Sequence, residues 1–143
     1  MKIREAKQED IREIAILNQE ELNYDYPIID AEAQLLKILS SPNNQLFVAE
    51  IDDKIVGYVQ ASEYISTYFS PAVNIVGLAV SKKSQGKGVG RALMLQAENW
   101  AKTIDATFIR LSSGEERTEA HQFYQKIGYE KIKNHATFKK RLD

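Results

Sequence analysis

From Ser81 to Arg91 the chain reads Ser-Lys-Lys-Ser-Gln-Gly-Lys-Gly-Val-Gly-Arg, and a helical pattern follows directly. Gly86, Gly88 and Gly90 stand where that helix starts, although each glycine inside a helix costs up to about 1 kcal/mol against alanine. Glycines in such a place serve close approach, because a backbone without Cβ atoms comes within hydrogen-bonding distance of a bulky anion. The first-turn N–H groups of a helix have no partner within it, and the helix dipole favours negative charge at that end. The combination is a cradle for phosphate. Lys82, Lys83, Lys87 and Arg91 surround it with positive charge and no acid is interleaved. Taken alone, the same stretch also reads as an ordinary glycine-rich loop with a solvated charged face.

Two nucleotide motifs are excluded by spacing. A Walker loop requires Gly-x-x-x-x-Gly-Lys-Ser/Thr, which is absent. A dinucleotide fingerprint requires Gly-x-Gly-x-x-Gly and an acid about 20 residues further on, where this chain has Arg110. The 143 residues contain no cysteine, which removes a disulfide framework, a thiolate zinc site and a cysteine acyl-enzyme together. His121 and His135 are too isolated to make a metal site, so none is expected, and His121 reads as a surface or hydrogen-bonded residue. Lys and Arg number 19 against 20 Asp and Glu, a balance with no general attraction for nucleic acid or an anionic membrane. The start, Met1-Lys2-Ile3-Arg4-Glu5, is charged where a signal peptide is apolar. No apolar run approaches the roughly 20 residues of a membrane span, and a cytoplasmic protein is expected. With 43% hydrophobic and 27% charged residues, residues 1–143 fit one globular domain with a single core.

The elements that must hold the glycine segment follow from hydrophobic period. Lys2 to Ala6 reads as a strand, and Gln8 to about Leu22 as a helix with Ile11, Ile14, Ala15 and Leu22 on one stripe that Asn18 fills. Asp30 is placed to cap a second helix with Leu35, Leu36 and Leu39 inward, stopped by Ser40 to Asn44. Gln45 to Ile51 and Lys54 to about Ile65 form a hairpin across Asp52-Asp53, the second strand alternating Ile55, Gly57, Val59 and Ala61. After the loop Ser66 to Pro71, Val73 to Val80 is apolar on both faces, as a strand in mid-sheet is. A third helix spans about Gly86 to Thr103 with Val89, Leu93, Ala97 and Trp100 inward, and Thr107 to Ser113 is a strand. A fourth helix runs from Glu115 to Ile127 with Ala120, Phe123, Tyr124 and Ile127 inward and Gly128 as its C-cap. Tyr129 to Leu142 is expected to give two short strands around Lys133-Asn134-His135. The order is β-α-α-β-β-β-α-β-α-β-β: an α/β (α+β) fold with a mixed central sheet flanked by about four helices.

Val80 followed by Gln85-Gly86-Lys87-Gly88-Val89-Gly90-Arg91-Ala92-Leu93 resembles the acetyl-coenzyme A signature of the GNAT N-acetyltransferase superfamily, Gln/Arg-x-x-Gly-x-Gly/Ala. Downstream, Ala120-His121-Gln122-Phe123-Tyr124-Gln125-Lys126-Ile127-Gly128-Tyr129 resembles that family's second landmark, A-x-x-F-Y-x-x-x-G-F. The element order agrees with the family over nearly the whole chain, the first 70 or so residues by pattern and the rest also by motif.

The resemblance implies acetyl-coenzyme A as cosubstrate, with its pyrophosphate on the amides of Gln85, Gly86, Lys87, Gly88, Val89 and Gly90 beside Arg91. It places the pantetheine arm along Leu78, Ala79 and Val80, with a strand bulge, for which Gly77 is suited, freeing an amide toward the thioester. It makes Tyr124 the general acid for the leaving thiolate; by helical pattern alone this tyrosine reads as core. Where relatives carry a strand glutamate as base, this chain has Asn74 and Val76, leaving Glu21 or Glu63 as replacements or as ordinary solvated carboxylates. Arg117 stands where the family often has an asparagine. Glu20, Glu21, Asp25, Asp30 and Glu32, with Tyr24 and Tyr26, border the acceptor cleft of such a fold and suit a cationic amine, or form a solvated helix end. The implied activity is acetyl transfer to a primary amine of a small molecule or peptide by direct attack in a ternary complex, in a monomer or homodimer. A non-catalytic coenzyme A-binding sensor on the same fold, and a phosphate-binding regulatory domain, are the alternatives.

Overall fold

The computed structural model describes residues 1–143, which form two compact units, Met1–Leu111 and Ser112–Asp143. The first is built on a five-stranded sheet of β1 (Lys2–Glu5), β2 (Asn44–Ile51), β3 (Lys54–Tyr64), β4 (Ala72–Val80) and β5 (Phe108–Leu111), in that spatial order. The first four strands run antiparallel to their neighbours, whereas β5 is parallel to β4, as a strand must be when it returns through a helix. The β2–β3 hairpin turns on Asp52 and Asp53, both with positive φ (50° and 63°), the twist that a two-residue hairpin loop prefers.

Alternate residues of β3 face different helices. Tyr58 joins the core that α1 (Ile11–Glu21) and α2 (Ile28–Ser40) make through Ile14, Leu17 and Leu35 with Leu46, Val48 and Ala79. Gly57, one residue earlier, lies beneath Val89 and Leu93 of α3 (Val89–Thr103), which covers the opposite face. β1 is tied to the entry of α1 by Arg4, whose guanidinium grips both oxygens of Asp10 at 2.7 and 3.0 Å and Glu50 at 3.0 Å. Burial alone raises the Asp10 carboxyl, but Arg4 and the Lys7 amide outweigh it and hold the group below its ordinary range. The second unit contains α4 (Thr118–Lys126). It closes with Gly128 at φ 104°, the Tyr129 amide on the Tyr124 carbonyl at 2.9 Å and the Gly128 amide on Gln125 at 3.1 Å. That pair of bonds is the Schellman ending expected of a left-handed glycine.

Four expectations need correction. Asp30 does not cap α2; Pro27 occupies the N-cap position and its carbonyl receives the Ala31 amide, so Asp30 sits in the first turn, where the dipole still favours it. Leu36 is 44% exposed, because the α2 stripe runs through Ile28, Ala31, Leu35, Ile38 and Leu39 and Leu36 falls about 100° away from Leu35. Helix α3 starts at Val89 instead of Gly86: Gly86 and Gly88 have φ of 77° and 82°, and a 3₁₀ turn over Lys82–Ser84 precedes them. The two strands read in Tyr129 to Leu142 are not formed, since residues 130–143 enter no helix or strand.

Candidate active site

Helix α3 is prepared for an anion at its start. Gly88 takes the N-cap position in a left-handed conformation, no side chain caps the helix, and its first turn has no acid. The first main-chain bond back is from the Ala92 amide to the Gly88 carbonyl at 3.1 Å. The N–H groups of Val89, Gly90 and Arg91 thus have no partner inside the helix, as the geometry of any helix start demands. The positive φ of Gly86 and Gly88 aims the preceding peptides, and a left-handed backbone costs other residues about 1–2 kcal/mol. No atom lies within 4 Å of where a Cβ would stand at either glycine, so conformation fixes glycine here and the approach side is clear.

Strand β4 carries the site away from this loop. It pairs with β5 only over Ala72–Ile75. The β3–β4 register then slips: Gln60 opposes Gly77 and Ala61 opposes Ile75, so Val76 is an extra, 54% exposed residue in a bulge. Beyond it, the Ser81 amide bonds the Val56 carbonyl at 2.7 Å. Antiparallel alternation from that bond directs the main chain of Ala79 and Gly77 toward β3 and that of Leu78 and Val80 away from it. No strand runs along this side of Leu78 and Val80, and the Gln85 side chain donates to the Val80 carbonyl at 3.0 Å. Gln85 thereby joins loop to strand edge.

Gly77 has a reason of its own. A Cβ there would lie 2.9 Å from the Tyr58 hydroxyl, which donates to the Asn18 side-chain oxygen of α1. Burial pushes the Tyr58 phenol up to about 12 against the opposing influence of Asn18. A neutral, buried tyrosine–asparagine pair therefore sits under the bulge in place of a side chain. The only signal for it in the sequence was a polar Asn18 interrupting an apolar stripe.

The two acids considered as bases are placed elsewhere. Glu21 accepts the Lys82 amide at 3.1 Å, pinning the end of α1 to the 3₁₀ turn before the glycines. Glu63 opposes Val73, two pairs from Ala61–Ile75. Asn74, on the alternate face, accepts from the Arg110 guanidinium at 2.5 Å, and that guanidinium lies 5.3 Å from the centre of the Tyr64 ring. In the acidic stretch, Glu32 meets Arg12 at 3.4 Å, while Tyr24 and Tyr26 are 62% and 46% exposed.

In the second unit Tyr124 stands on α4 between two rings, Phe123 at 5.2 Å and Tyr129 at 6.1 Å, both edge-on. Burial raises its phenol above the ordinary value of 10.0, and the Arg117 charge at the N-cap of α4 partly opposes this. The result is a hydroxyl that keeps its proton at neutral pH beside a cation that eases the proton's departure. His121 meets the Gly114 carbonyl at 2.9 Å and His135 the Ser112 hydroxyl at 3.1 Å.

This arrangement has known counterparts. The family model for acetyltransferases of the GNAT family matches residues 8–129. An uncharacterized N-acetyltransferase of Methanocaldococcus jannaschii is 30% identical over 130 residues, covering 90% of this chain and 78% of the relative. Among solved structures, the apo aminoglycoside 6'-N-acetyltransferase AAC(6')-IG of Acinetobacter haemolyticus superposes with a TM-score of 0.87 at 20% identity over 100% of both chains. AAC(6')-Iy in complex with the bisubstrate analogue CoA-S-monomethyl-acetylneamine gives 0.87 at 22% identity, over 98% of this chain and 97% of the other. The chain belongs to the GNAT acetyltransferase family, with the α/β fold its element order predicted, and it is an acetyltransferase with acetyl-coenzyme A as its cosubstrate. No helix is long and apolar enough to cross a membrane.

Proposed function

We propose that this acetyltransferase acts on a primary amine of a small molecule, the amine attacking the acetyl group directly while both reactants are bound. The observation that carries the reading is the continuity of unpaired main-chain donors: the α3 start at Val89–Arg91 and the open edge of β4 at Leu78 and Val80, joined by Gln85. The cofactor, when bound, supplies the activated thioester. Gly86, Lys87, Gly88, Val89, Gly90 and Arg91 are assigned to its diphosphate, with Gln85 fixing the loop. Leu78 and Val80 offer the edge for its amide-bearing arm, and Ala79, turned toward β3, anchors that edge. One main-chain N–H donor aimed at the developing oxyanion is worth about 3 kcal/mol, and Leu78, just past the bulge, is assigned that part.

Tyr124 is assigned the proton for the departing sulfur, held at Oη and released with the help of Arg117. A chain without cysteine has no thiol to carry an acyl intermediate, which favours direct attack, and much of the rate then comes from positioning two bound reactants. The acidic, tyrosine-bearing stretch from Glu20 to Glu32 favours a cationic acceptor. Release of free thiol on mixing the protein, acetyl-coenzyme A and a panel of amines tests the reading. Thiol release with a small cationic amine is expected; binding of coenzyme A with no release across small-molecule and peptide amines would overturn it. Coenzyme A should also raise the melting temperature well beyond inorganic phosphate or NAD, in proportion to its tighter binding.

A further inference from the structure

The bulge at Val76 and Gly77 has little of its own to hold it. Pairing of β4 with β5 stops at Ile75, Val76 is 54% exposed, and Gly77 has no side chain to pack. Glycine is the least constrained residue in backbone conformation, yet Gly77 does not use the left-handed region that Gly86 and Gly88 adopt. Space, not φ, requires glycine here. The atoms nearest to where its Cβ would stand all belong to Tyr58: the hydroxyl at 2.9 Å and two ring carbons at 3.6 and 3.7 Å. The peptide joining Gly77 to Leu78 carries the Leu78 N–H, so whatever holds Gly77 also sets the direction of that donor.

Tyr58 is itself held firmly. On β3 it lies between Val48 of β2 and Ala79 of β4, both buried, and its ring leans diagonally toward Gly77, which pairs with Gln60. Its hydroxyl donates to the side-chain oxygen of Asn18. Asn18 is fixed at the end of α1, where its main-chain carbonyl receives the Leu22 and Tyr24 amides, each at 3.2 Å, and Ile14, one turn earlier, is fully buried. An apolar residue at position 18 would complete the stripe of α1, and burying a hydroxyl and an amide is unfavourable unless they bond. What the bonded pair adds is direction, because a hydrogen bond fixes where the hydroxyl points. We infer that Tyr58 and Asn18 are positioning residues: the bonded hydroxyl braces Gly77 from beneath and keeps the Leu78 N–H in line with the thioester carbonyl, an inference that rests on the direct transfer and the Leu78 donor proposed above. With its proton committed to Asn18, Tyr58 acts through Gly77 and touches neither reactant.

The test compares turnover with binding in Tyr58→Phe, alone and combined with Gly77→Ala. Tyr58→Phe should lower kcat roughly tenfold, a part of the 100-fold or more that losing such a donor costs. The coenzyme A dissociation constant in calorimetry should stay within about twofold, the split that marks an interaction made in the transition state. Once the hydroxyl is gone, the methyl group of Gly77→Ala meets ring carbons at 3.6 and 3.7 Å, which is ordinary contact. The double variant should therefore regain most of the lost kcat, although Gly77→Ala alone loses stability and rate. In amide NMR spectra the Leu78 resonance should move in Tyr58→Phe while those of Val89 and Arg91 stay. A role in stability alone gives a lower melting temperature with kcat unchanged below it, and that result would overturn the inference. A double variant no faster than Tyr58→Phe, or an unmoved Leu78 resonance, would do the same. Should Tyr58→Phe fail to fold, Asn18→Ala keeps the ring and frees its hydroxyl, and it should show the same split between kcat and binding; an unchanged kcat there counts against the pair. No thiol release from the unaltered protein with any amine defeats the transfer reading and this inference with it, whereas release that Tyr58→Phe does not slow defeats this inference alone.

Discussion

Helices α3 and α4 begin in opposite ways. The start of α3 has a left-handed glycine at its N-cap, no side-chain cap and no acid in its first turn. The start of α4 has Arg117 at its N-cap and Glu119 in its first turn, so its dipole is already met by a charge of its own. On the proposed function, the first helix is assigned an outside anion held by main-chain N–H groups, and the second is assigned a side chain, Tyr124, from its interior. Binding by backbone and chemistry by side chain respond differently to substitution. Backbone sites tolerate a new side chain unless it forbids the conformation, whereas a single hydroxyl is lost whole.

The largest effect is expected from Tyr124→Phe. Removing a positioned general acid should lower kcat by about 100- to 1000-fold and leave the coenzyme A dissociation constant unchanged in calorimetry; an unchanged kcat would assign the ring to packing alone. Gly77→Ala comes next. It drives a methyl group toward the buried Tyr58 hydroxyl, and overpacking of this kind costs about 1–3 kcal/mol in denaturant unfolding. Gly88→Ala should cost about 1–2 kcal/mol through its positive φ and weaken coenzyme A binding by roughly tenfold as the amides rotate out of line. Lys87→Ala, which leaves the backbone intact, should weaken it less. The smallest effect is in the pH profile. The Tyr124 phenol is raised above 10.0, so its acid form persists throughout neutral pH and a rate depending on it declines only above that value. Arg117→Ala removes an influence that lowers this pKa and should move the alkaline limb further up; a downward move would contradict the assigned electrostatics.

The glycine loop was legible because it violates a local rule: three glycines at a helix start make no sense for propensity, and the structure gives Gly86 and Gly88 left-handed backbones. The β2–β3 hairpin was legible for the same local reason, through Asp52-Asp53. Helix boundaries shifted by a few residues for local reasons, at Pro27 and at Gly86 and Gly88, and the rest of what was missed depended on partners distant in the chain. Leu36 has the character of a core residue and the wrong angle for its neighbours. Gly77 was suited to a bulge on general grounds, but its need arises from Tyr58 and Asn18, which only the fold brings beneath it. Arg110 served in the sequence only to exclude a dinucleotide motif, although it holds Asn74 and stacks on Tyr64. Two strands were expected in Tyr129 to Leu142 from the pattern of one segment, whereas strand pairing is a property of two.

The Gln85 bond to the Val80 carbonyl has a consequence for selectivity. On the proposed assignments, this bond ties the turn to the strand and sets the span from the helix-start amides to the Leu78 amide, so that the two ends work as a caliper. A donor whose reactive carbon sits too near its phosphates, such as a simple acyl phosphate, is then expected to engage one jaw without the other. Lengthening or shortening the arm between them should therefore be punished more in turnover than in binding.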